Sequence, residues 1–186
     1  MKKSFGAKVM PMPAPVWVVG TYDVEGKANM MTAAWAGICC SKPASVYVSL
    51  RKATYSYGNI VQRGAYTINV PSLSYIKEAD YVGIVSGRDV DKFSATGLTA
   101  VRSDLVDAPY VNEFPVVMEC KLLHTIEIGL HTMFIGEIQD VKIDEAVLAA
   151  DGRPEMEKLG LFVYSTDYYA VGKQAAKAFS IGKELS

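Results

Sequence analysis

The sequence predicts a mainly β protein, an antiparallel β-barrel with a few added helices. Strand-like segments outnumber helix-like segments, and several strands follow one another as hairpins instead of alternating with helices. At 186 residues the chain has the size of one domain, so we expect a single domain over residues 1–186. Half of the residues are hydrophobic, and this apolar excess needs a core, a ligand or a second subunit to cover it.

The first half of the chain is predicted to contain a β-hairpin, a strand, a short helix and another strand. Alternating and β-branched residues place these elements at residues 16–22, 28–36, 45–50, 56–63 and 65–70. Gly26 can take the positive φ that the hairpin turn needs, Gly64 can end the helix and Pro71 stops the last strand. Residues 8–15 carry three prolines and should lead into the fold as an extended segment.

The second half is predicted to begin with a helix over residues 73–85, because apolar residues recur there at helical spacing. Ser72 could cap that helix with its hydroxyl. A short polar helix or turn should precede Gly97, and Gly129 should join two strands. The remaining predicted elements are strands at 116–126, 132–143, 161–164 and 168–171 and a terminal helix at 173–179.

Charge and composition exclude several functional classes. The net charge is −1 and no basic excess is visible, so no nucleic-acid partner is expected. The longest uncharged stretch worth testing for a membrane span, residues 28–41, is too short to cross a bilayer. No apolar signal segment follows the N-terminal lysines, since Lys8, Pro11, Pro13 and Pro15 interrupt it. With three unpatterned cysteines in addition, we expect a soluble, cytoplasmic protein.

Common site motifs are missing from the sequence. It has no G-x-G-x-x-G, no phosphate-binding G-x-x-x-x-G-K-[ST], no H-E-x-x-H and no G-x-S-x-G. It has no C-x-x-C pair, and its two histidines could hold a metal only with carboxylate help. We therefore predict no metal site.

One segment combines a cation with several hydroxyls where a strand meets a helix. Arg51 ends the strand, and Thr54, Tyr55 and Ser56 begin the helix. A phosphate dianion is well bound by a guanidinium fork, hydroxyl donors and a helix N-terminus. The segment is therefore either a phosphate site or an ordinary polar turn.

A second segment, from Asn29 to Trp35, places small residues between Met31 and Trp35. Small residues let a planar ligand approach the backbone, and the indole could stack on it. The alternative is a buried core strand. Together the two segments suggest a flat cofactor with a phosphate tail.

With these motifs in order, the chain resembles the flavin reductase-like, FMN-binding split-barrel family, and within it the flavoredoxins. The resemblance runs from about Pro15 to about Gly172, and it depends on shared order and spacing. The segments that carry it include residues 15–16, 29–35, 41–43, 48–54, 87–93, 97–98, 108–109, 119–120, 129–131 and 134–137, together with Asn59.

The resemblance implies a six-stranded antiparallel split barrel of Greek-key type, a homodimer, and FMN held non-covalently near the dimer interface. Thr32, as a donor near flavin N5, and His131, near a nicotinamide, are the implied catalytic residues. The implied cofactor-binding residues are Asn29, Met30, Met31, Thr32, Ala33, Trp35, Cys40, Ser49, Leu50, Arg51, Thr54, Tyr55, Asn59, Lys92, Phe93 and His131.

Some of these implied roles have alternatives. Lys92 would stabilise reduced flavin near N1 and O2, or would instead form a surface ion pair with Asp89 or Asp91. His131 follows Leu130 where the family often has an acidic residue, so a structural role is equally open. The aromatic residues Phe162, Tyr164 and Tyr168 are further candidates to cover the ring.

The function implied is that of an FMN oxidoreductase that passes electrons through flavin N5. The donor would be NAD(P)H or a redox protein such as a ferredoxin, and the acceptor would be free flavin or a redox protein. The alternatives are an FMN electron carrier without its own nicotinamide site and a non-catalytic flavin-binding module.

Overall fold

A computed structural model describes residues 1–10 and 12–185 of the 186-residue chain. Pro11, part of the predicted extended lead-in, lies outside the described residues. The strands, numbered β1 to β12, are Ala14–Pro15, Trp17–Tyr22, Ala28–Ala33, Ala36–Ser41, Ala44–Arg51, Ala65–Val70, Ala100–Arg102, Pro109–Val111, Val116–Ile128, His131–Ile143, Phe162–Ser165 and Asp167–Ala170. The helices, α1 to α4, are Tyr55–Arg63, Ile76–Ile84, Lys92–Thr96 and Met156–Leu159, and short 3-10 turns cover Leu73–Tyr75, Glu145–Val147 and Ile181–Leu185.

Seven strands form one antiparallel sheet in the order β3-β2-β6-β9-β10-β5-β4. Its two edge strands, β3 and β4, are consecutive in the chain and are separated only by Ala34 and Trp35. The carbonyl of Trp35 accepts a hydrogen bond from the Ser49 amide at 2.7 Å, so the bend itself is attached to β5. The sheet therefore closes into a barrel of six strands, if β3 and β4 are counted as one bent strand.

Two smaller sheets flank the barrel. Strand β1 pairs with β11, which pairs with β12, and β7 pairs with β8. Strands β9 and β10 are each 13 residues long and form a hairpin that turns at Gly129. The distal residues of this hairpin are exposed, including Ile128 and Leu130.

Two groups of buried side chains stabilise this arrangement. The first contains strand residues such as Val48, Ile68 and Phe134, together with Ile60 of α1. The second joins β2 and β3 to helices α2 and α3 and includes Met30, Ala79, Val82 and Phe93. Because successive strand residues point to opposite faces, β3 contributes to both groups. This second group holds α2 against β3.

Most predicted elements are present with small shifts of their ends. The hairpin turn at Gly26, the helix end at Gly64 and the turn at Gly129 all use the positive φ expected of glycine. Two expectations are wrong. Ser72 precedes a 3-10 turn and not α2 itself, and its hydroxyl makes no capping hydrogen bond. Residues 173–179 are not helical, and a 3-10 turn forms later, at Ile181–Leu185.

Within the described residues, no helix combines the length and the apolar character that crossing a bilayer requires.

Candidate functional site

A groove lies between the bent strand β3–β4, the end of β5 and the C-terminal part of α2. It consists of two cavities of about 330 and 290 Å³. The larger one, here the aromatic lobe, is lined by Trp35, His131, Tyr164 and Tyr168 among others. The smaller one, here the lysine lobe, is lined by Lys92 and by residues 82–87 among others. Both lobes share Met31, Arg51, Thr54, Gly83 and Ile84.

Arg51 is the cation of this groove that is free to bind an anion. Its guanidinium has no hydrogen-bond or ion-pair partner among residues 1–10 and 12–185. The neighbouring Lys52 is instead paired with Glu127, with 2.6 Å between Nζ and Oε1. A guanidinium fork matches the oxygens of a phosphate. Of the two adjacent basic residues, only Arg51 is therefore available to a phosphate.

The N-terminus of α1 lies beside Arg51. The amide and hydroxyl of Thr54 both donate to the Arg51 carbonyl at 2.9 Å, which fixes the turn before the helix. No side chain caps the helix, so the first amides of its nine residues lack an intrahelical acceptor. Free amides and the positive end of the helix dipole both favour an anion.

A buried polar cluster holds this helix end to the barrel. The Asn29 side-chain amide donates to Ser56 Oγ at 3.0 Å and to Thr21 Oγ1 at 3.3 Å. Asn59 donates to the same Thr21 oxygen at 3.1 Å. Asn29 and Asn59 are about 95 % buried, so in this fold they position α1 from behind the groove. Ser56 also lines the lysine lobe.

The segment after α2 packs against the same cluster through Gly87. A Cβ atom at Gly87 would lie 2.0 Å from Asn29 Oδ1 and 2.7 Å from Tyr55 Cδ1. Only glycine fits at this distance. The Tyr55 hydroxyl donates to Asp23 Oδ2 at 2.8 Å, and Arg88 lies 5.3 Å from the centroid of the Tyr55 ring. Tyr55 therefore directs its hydroxyl away from the groove.

Lys92 is a buried amine in the lysine lobe, with 4 % of its surface exposed. Its Nζ donates to the Val82 carbonyl at 2.7 Å, in the last turn of α2. Burial lowers the pKa of Lys92 to about 8. The surface ion pair with Asp89 or Asp91 considered for this lysine is not formed within the described residues, because Lys92 is buried, and Asp91 pairs with Lys27 at 3.5 Å.

Thr32 joins the bent strand to α2. Its hydroxyl donates to the Ala79 carbonyl, and a Cβ atom at Gly83 would lie 3.2 Å from Thr32 Cβ. The helix can approach β3 this closely because Gly83 has no side chain. Because the hydroxyl proton is directed to Ala79, the Thr32 hydroxyl is not free to donate to a ligand.

Aromatic rings line the outer part of the groove. The Trp35 and His131 rings are stacked, with centroids 6.4 Å apart. Tyr164 and Tyr168, from the β11–β12 hairpin, line the same lobe with Asp80 of α2. This lobe can accept a flat ring.

The family model of the flavin reductase like domain matches residues 9–171 of this chain. The chain belongs to this family. Flavoredoxin of Desulfovibrio vulgaris (Miyazaki F) is 55 % identical, covers 98 % of this chain and 100 % of its own, and has a TM-score of 0.93.

Two other proteins are also similar to this chain. A protein with a split barrel domain from Shewanella frigidimarina NCIMB 400 is 26 % identical, with a TM-score of 0.82, and covers 91 % of this chain and 87 % of that one. The ferric-chelate reductase (NAD(P)H) of Archaeoglobus fulgidus is 26 % identical over 104 residues, which are 55 % of this chain and 60 % of the reductase.

The groove brings together eleven of the residues predicted to bind the cofactor of this flavin reductase-like protein. They are Met31, Thr32, Ala33, Trp35, Ser49, Leu50, Arg51, Thr54, Tyr55, Lys92 and His131.

Five predicted residues do not line either lobe. Met30 and Phe93 lie in the second group of core side chains, where both are buried among β3, α2 and α3. Asn29 and Asn59 are in the buried polar cluster. Cys40 is exposed on β4, beyond the bend.

The contribution of α2 to the site was not predicted from the sequence. Asp80, Gly83 and Ile84 line the groove, and so do Ser86 and Gly87 after the helix. Asp80 lies outside the apolar stripe of the predicted helix, and of these residues only Gly87 belongs to a segment that carries the family resemblance. No group of three or more His, Cys, Asp or Glu side chains in the described residues is placed to hold a metal ion.

Proposed function

We propose that this protein binds FMN in the groove and acts as a flavin-dependent oxidoreductase. The observation that carries the proposal is the unpartnered Arg51 guanidinium beside the uncapped N-terminus of α1, at a groove with aromatic and apolar walls. The two lobes have volumes of about 330 and 290 Å³, in the range typical of small-molecule and cofactor sites. Membership of the flavin reductase like family supports the same ligand class.

The donor set suits a phosphate monoester. Arg51 would supply the charge, the first amides of α1 would donate hydrogen bonds, and the Ser56 hydroxyl lies at the same helix end. Ser56 Oγ already accepts from Asn29, so its own proton is available to donate. FMN carries one phosphate and requires one such site, which favours it over FAD.

The other residues of the groove would hold the flavin ring and adjust its chemistry. Met31 and Ala33 offer an apolar wall, and we assign the Thr32 main-chain N–H as the donor to flavin N5. Bound FMN would supply the capacity to accept a hydride or electrons. The Lys92 ammonium, held against the Val82 carbonyl, would stabilise negative charge on the ring near N1 and O2.

The electron donor is proposed to be NAD(P)H, with the Trp35–His131 stack as the surface on which a nicotinamide would lie. The relative that is a ferric-chelate reductase (NAD(P)H) supports this donor. A second candidate is an electron carrier reduced by a ferredoxin-like partner. The 55 % identity to a flavoredoxin supports the electron carrier as this second candidate. In this second case His131 has a structural role.

A homodimer is proposed from the exposed apolar side chains on β4 and at the β9–β10 tip. Ile38 of β4 is 78 % exposed, and Ile128 and Leu130 at the β9–β10 tip are 53 % and 65 % exposed. Exposed apolar surface of this kind is typical of an interface. His131 follows Leu130 directly, so a partner covering the tip would lie next to the aromatic lobe.

The single domain over residues 1–186 and the cytoplasmic location stay predictions.

The first test is the absorption spectrum of the purified protein, followed by titration of flavin-free protein with FMN and FAD. We expect tight binding of FMN and weaker binding of FAD. Protein that is free of flavin and does not bind added FMN would contradict the proposal.

Anaerobic addition of NADH and NADPH then separates the two candidates: reduction by either supports the reductase, whereas reduction only by reduced ferredoxin supports the carrier. Light scattering measures the oligomeric state.

A further inference from the structure

Asp80 and Tyr168 form a hydrogen-bonded pair in the wall of the aromatic lobe. The Tyr168 hydroxyl donates to Asp80 Oδ1 at 2.7 Å, and both side chains line the cavity. The pair joins α2 to β12, two elements far apart in sequence. Tyr168 is held in place by an edge-on contact with Phe162, with ring centroids 5.6 Å apart. The geometry of this pair is therefore fixed by the fold.

The Asp80 carboxylate forms no ion pair with any residue in the described part of the chain, although Arg51 lines the same lobe. Neither α2 nor the β11–β12 hairpin brings a lysine or arginine into the lobe lining. A carboxylate in a groove without an ion-pair partner remains open to a donor or a positive charge from a ligand.

The pair offers acceptors and no donor. Asp80 is an acceptor only when ionised, and the one proton of the Tyr168 hydroxyl is already directed to it. Burial, followed by the contact with Asp80, raises the pKa of Tyr168 to about 12, so this proton stays on the tyrosine at neutral pH. The free lone pairs on Asp80 Oδ2 and Tyr168 Oη can bind an N–H group, but they repel a carboxylate.

The surrounding rings define the kind of molecule that would present such a group. Trp35 and His131 lie stacked in the lining of the same lobe, and Tyr164 belongs to it as well. A planar aromatic ligand fits walls of this type.

We propose that Asp80 and Tyr168 form a specificity site that selects planar ring ligands bearing a hydrogen-bond donor, such as a primary carboxamide, over those bearing a carboxylate. The inference rests on the proposed function, because it assigns the substrate class for the part of the groove next to the flavin. It adds two residues that determine which ring compounds bind there.

The test uses nicotinamide and nicotinate, which have the same ring and differ in carrying a carboxamide or a carboxylate. Their affinities for the full-length, FMN-loaded protein are measured by calorimetry and by the change they cause in the flavin absorption band. We expect nicotinamide to bind about tenfold or more tightly than nicotinate, since one ligand gains a hydrogen bond and the other meets a like charge.

Two variants separate charge from hydrogen bonding. Asp80→Asn should bring the ratio of the two affinities close to one. Tyr168→Phe should weaken nicotinamide binding but keep the preference, because the Asp80 charge remains. Asp104→Asn, which removes an exposed carboxylate outside the groove, is the matched control and should keep the wild-type ratio.

Equal affinities in the wild-type protein, or an unchanged ratio in Asp80→Asn, would overturn the inference. An Asp80→Asn protein that loses FMN but still prefers nicotinamide to nicotinate would also overturn the inference, because Asp80 would then contact the flavin and not the ring ligand. Failure of FMN itself to bind wild-type protein would count against the proposed function, and it is measured separately before either probe is added.

Discussion

The Trp35 indole and the His131 imidazole lie almost parallel, with planes inclined by 6° and centroids 6.4 Å apart. The two residues come from opposite ends of the barrel sequence, one from the bend between β3 and β4 and the other from the start of β10. Both line the aromatic lobe. Because the indole is 39 % exposed, its fluorescence can report on what enters the groove.

Bound FMN should quench tryptophan emission mainly through Trp35. The chain has two tryptophans, and Trp17 packs against the barrel core instead of the groove. We expect Trp35→Phe to abolish most of the FMN-dependent quenching, with Trp17→Phe as the matched control that keeps it. Fluorescence titration measures both. Equal quenching in the two variants would place the flavin away from Trp35.

Replacement of Arg51 by alanine should weaken FMN binding. The loss of a charge-assisted hydrogen bond to the phosphate is expected to cost about 1.5–3 kcal/mol, which corresponds to a roughly 10- to 150-fold higher Kd. Lys52→Ala removes the same charge one residue away, from a side chain paired with Glu127, and should have little effect. If both variants bind FMN like the wild type, Arg51 does not hold the phosphate.

Lys92 should make the stability of the protein depend on pH in the alkaline range. With its pKa lowered to about 8 by burial, the folded protein releases this proton before the unfolded chain does, at about 10.4. Between these values the unfolded chain binds more protons, so the free energy of unfolding contributed by Lys92 rises with pH, by at most about 3 kcal/mol. Below pH 8 both states are protonated and this contribution is constant.

Denaturant unfolding of wild type and Lys92→Met across pH 7 to about 10.4 isolates this effect, because tyrosine and cysteine ionisation is common to both proteins. The difference between them should change over that window. Lys27→Met, at an exposed lysine paired with Asp91, should run parallel to the wild type. A parallel curve for Lys92→Met would show that Lys92 ionises as an ordinary lysine.

The same Lys92→Met change should make bound FMN harder to reduce. Removing the ammonium from the lysine lobe removes a positive charge that would stabilise the reduced, negatively charged ring. A lower midpoint potential in a redox titration is the expected result, with Lys27→Met again as the control. A midpoint equal to that of the wild type would place Lys92 away from N1 and O2.

Gly87 and Gly58 should respond oppositely to alanine. At Gly87 the new methyl group would overlap Asn29 Oδ1 and the Tyr55 ring, so we expect a loss of about 1–3 kcal/mol of stability and weaker FMN binding. At Gly58, inside α1, nothing lies within 4 Å, and alanine should stabilise the helix by up to about 1 kcal/mol. Thermal unfolding compares the two. A Gly87→Ala protein as stable as the wild type would contradict the close packing described for this segment.

Local patterns in the sequence were sufficient for most of the strands and turns, because alternation and glycine positions report directly on them. Strands β4, β7 and β8 were not predicted. Arg51, Thr54 and Met31 could be assigned to a cofactor site only when their motifs were combined with the family resemblance, and all three line the groove. The contribution of Asp80 and Tyr168 could not be predicted in this way. Their hydrogen bond joins residues 88 positions apart, and only the packing of α2 against the β11–β12 hairpin brings them together.

Burial also separated residues that looked equivalent in the sequence. Met30 and Met31 are adjacent, but one is fully buried against α2 and the other lines both lobes. Which of the two methionines is buried depends on which face of β3 the helix covers. That is decided by contacts between residues distant in the chain. Arg51 and Lys52 differ for a similar reason, since Glu127 neutralises only the second.

The bend at Ala34 and Trp35 gives the barrel a single closing point, and that point is also part of the groove wall. Opening the ring there would separate Trp35 from Ser49 and His131 and would dismantle the aromatic lobe. A ligand that binds only the closed ring must therefore stabilise closure by mass action. Amide hydrogens of β3 and β4 should consequently exchange more slowly with solvent when the groove is filled, even at residues that touch no ligand.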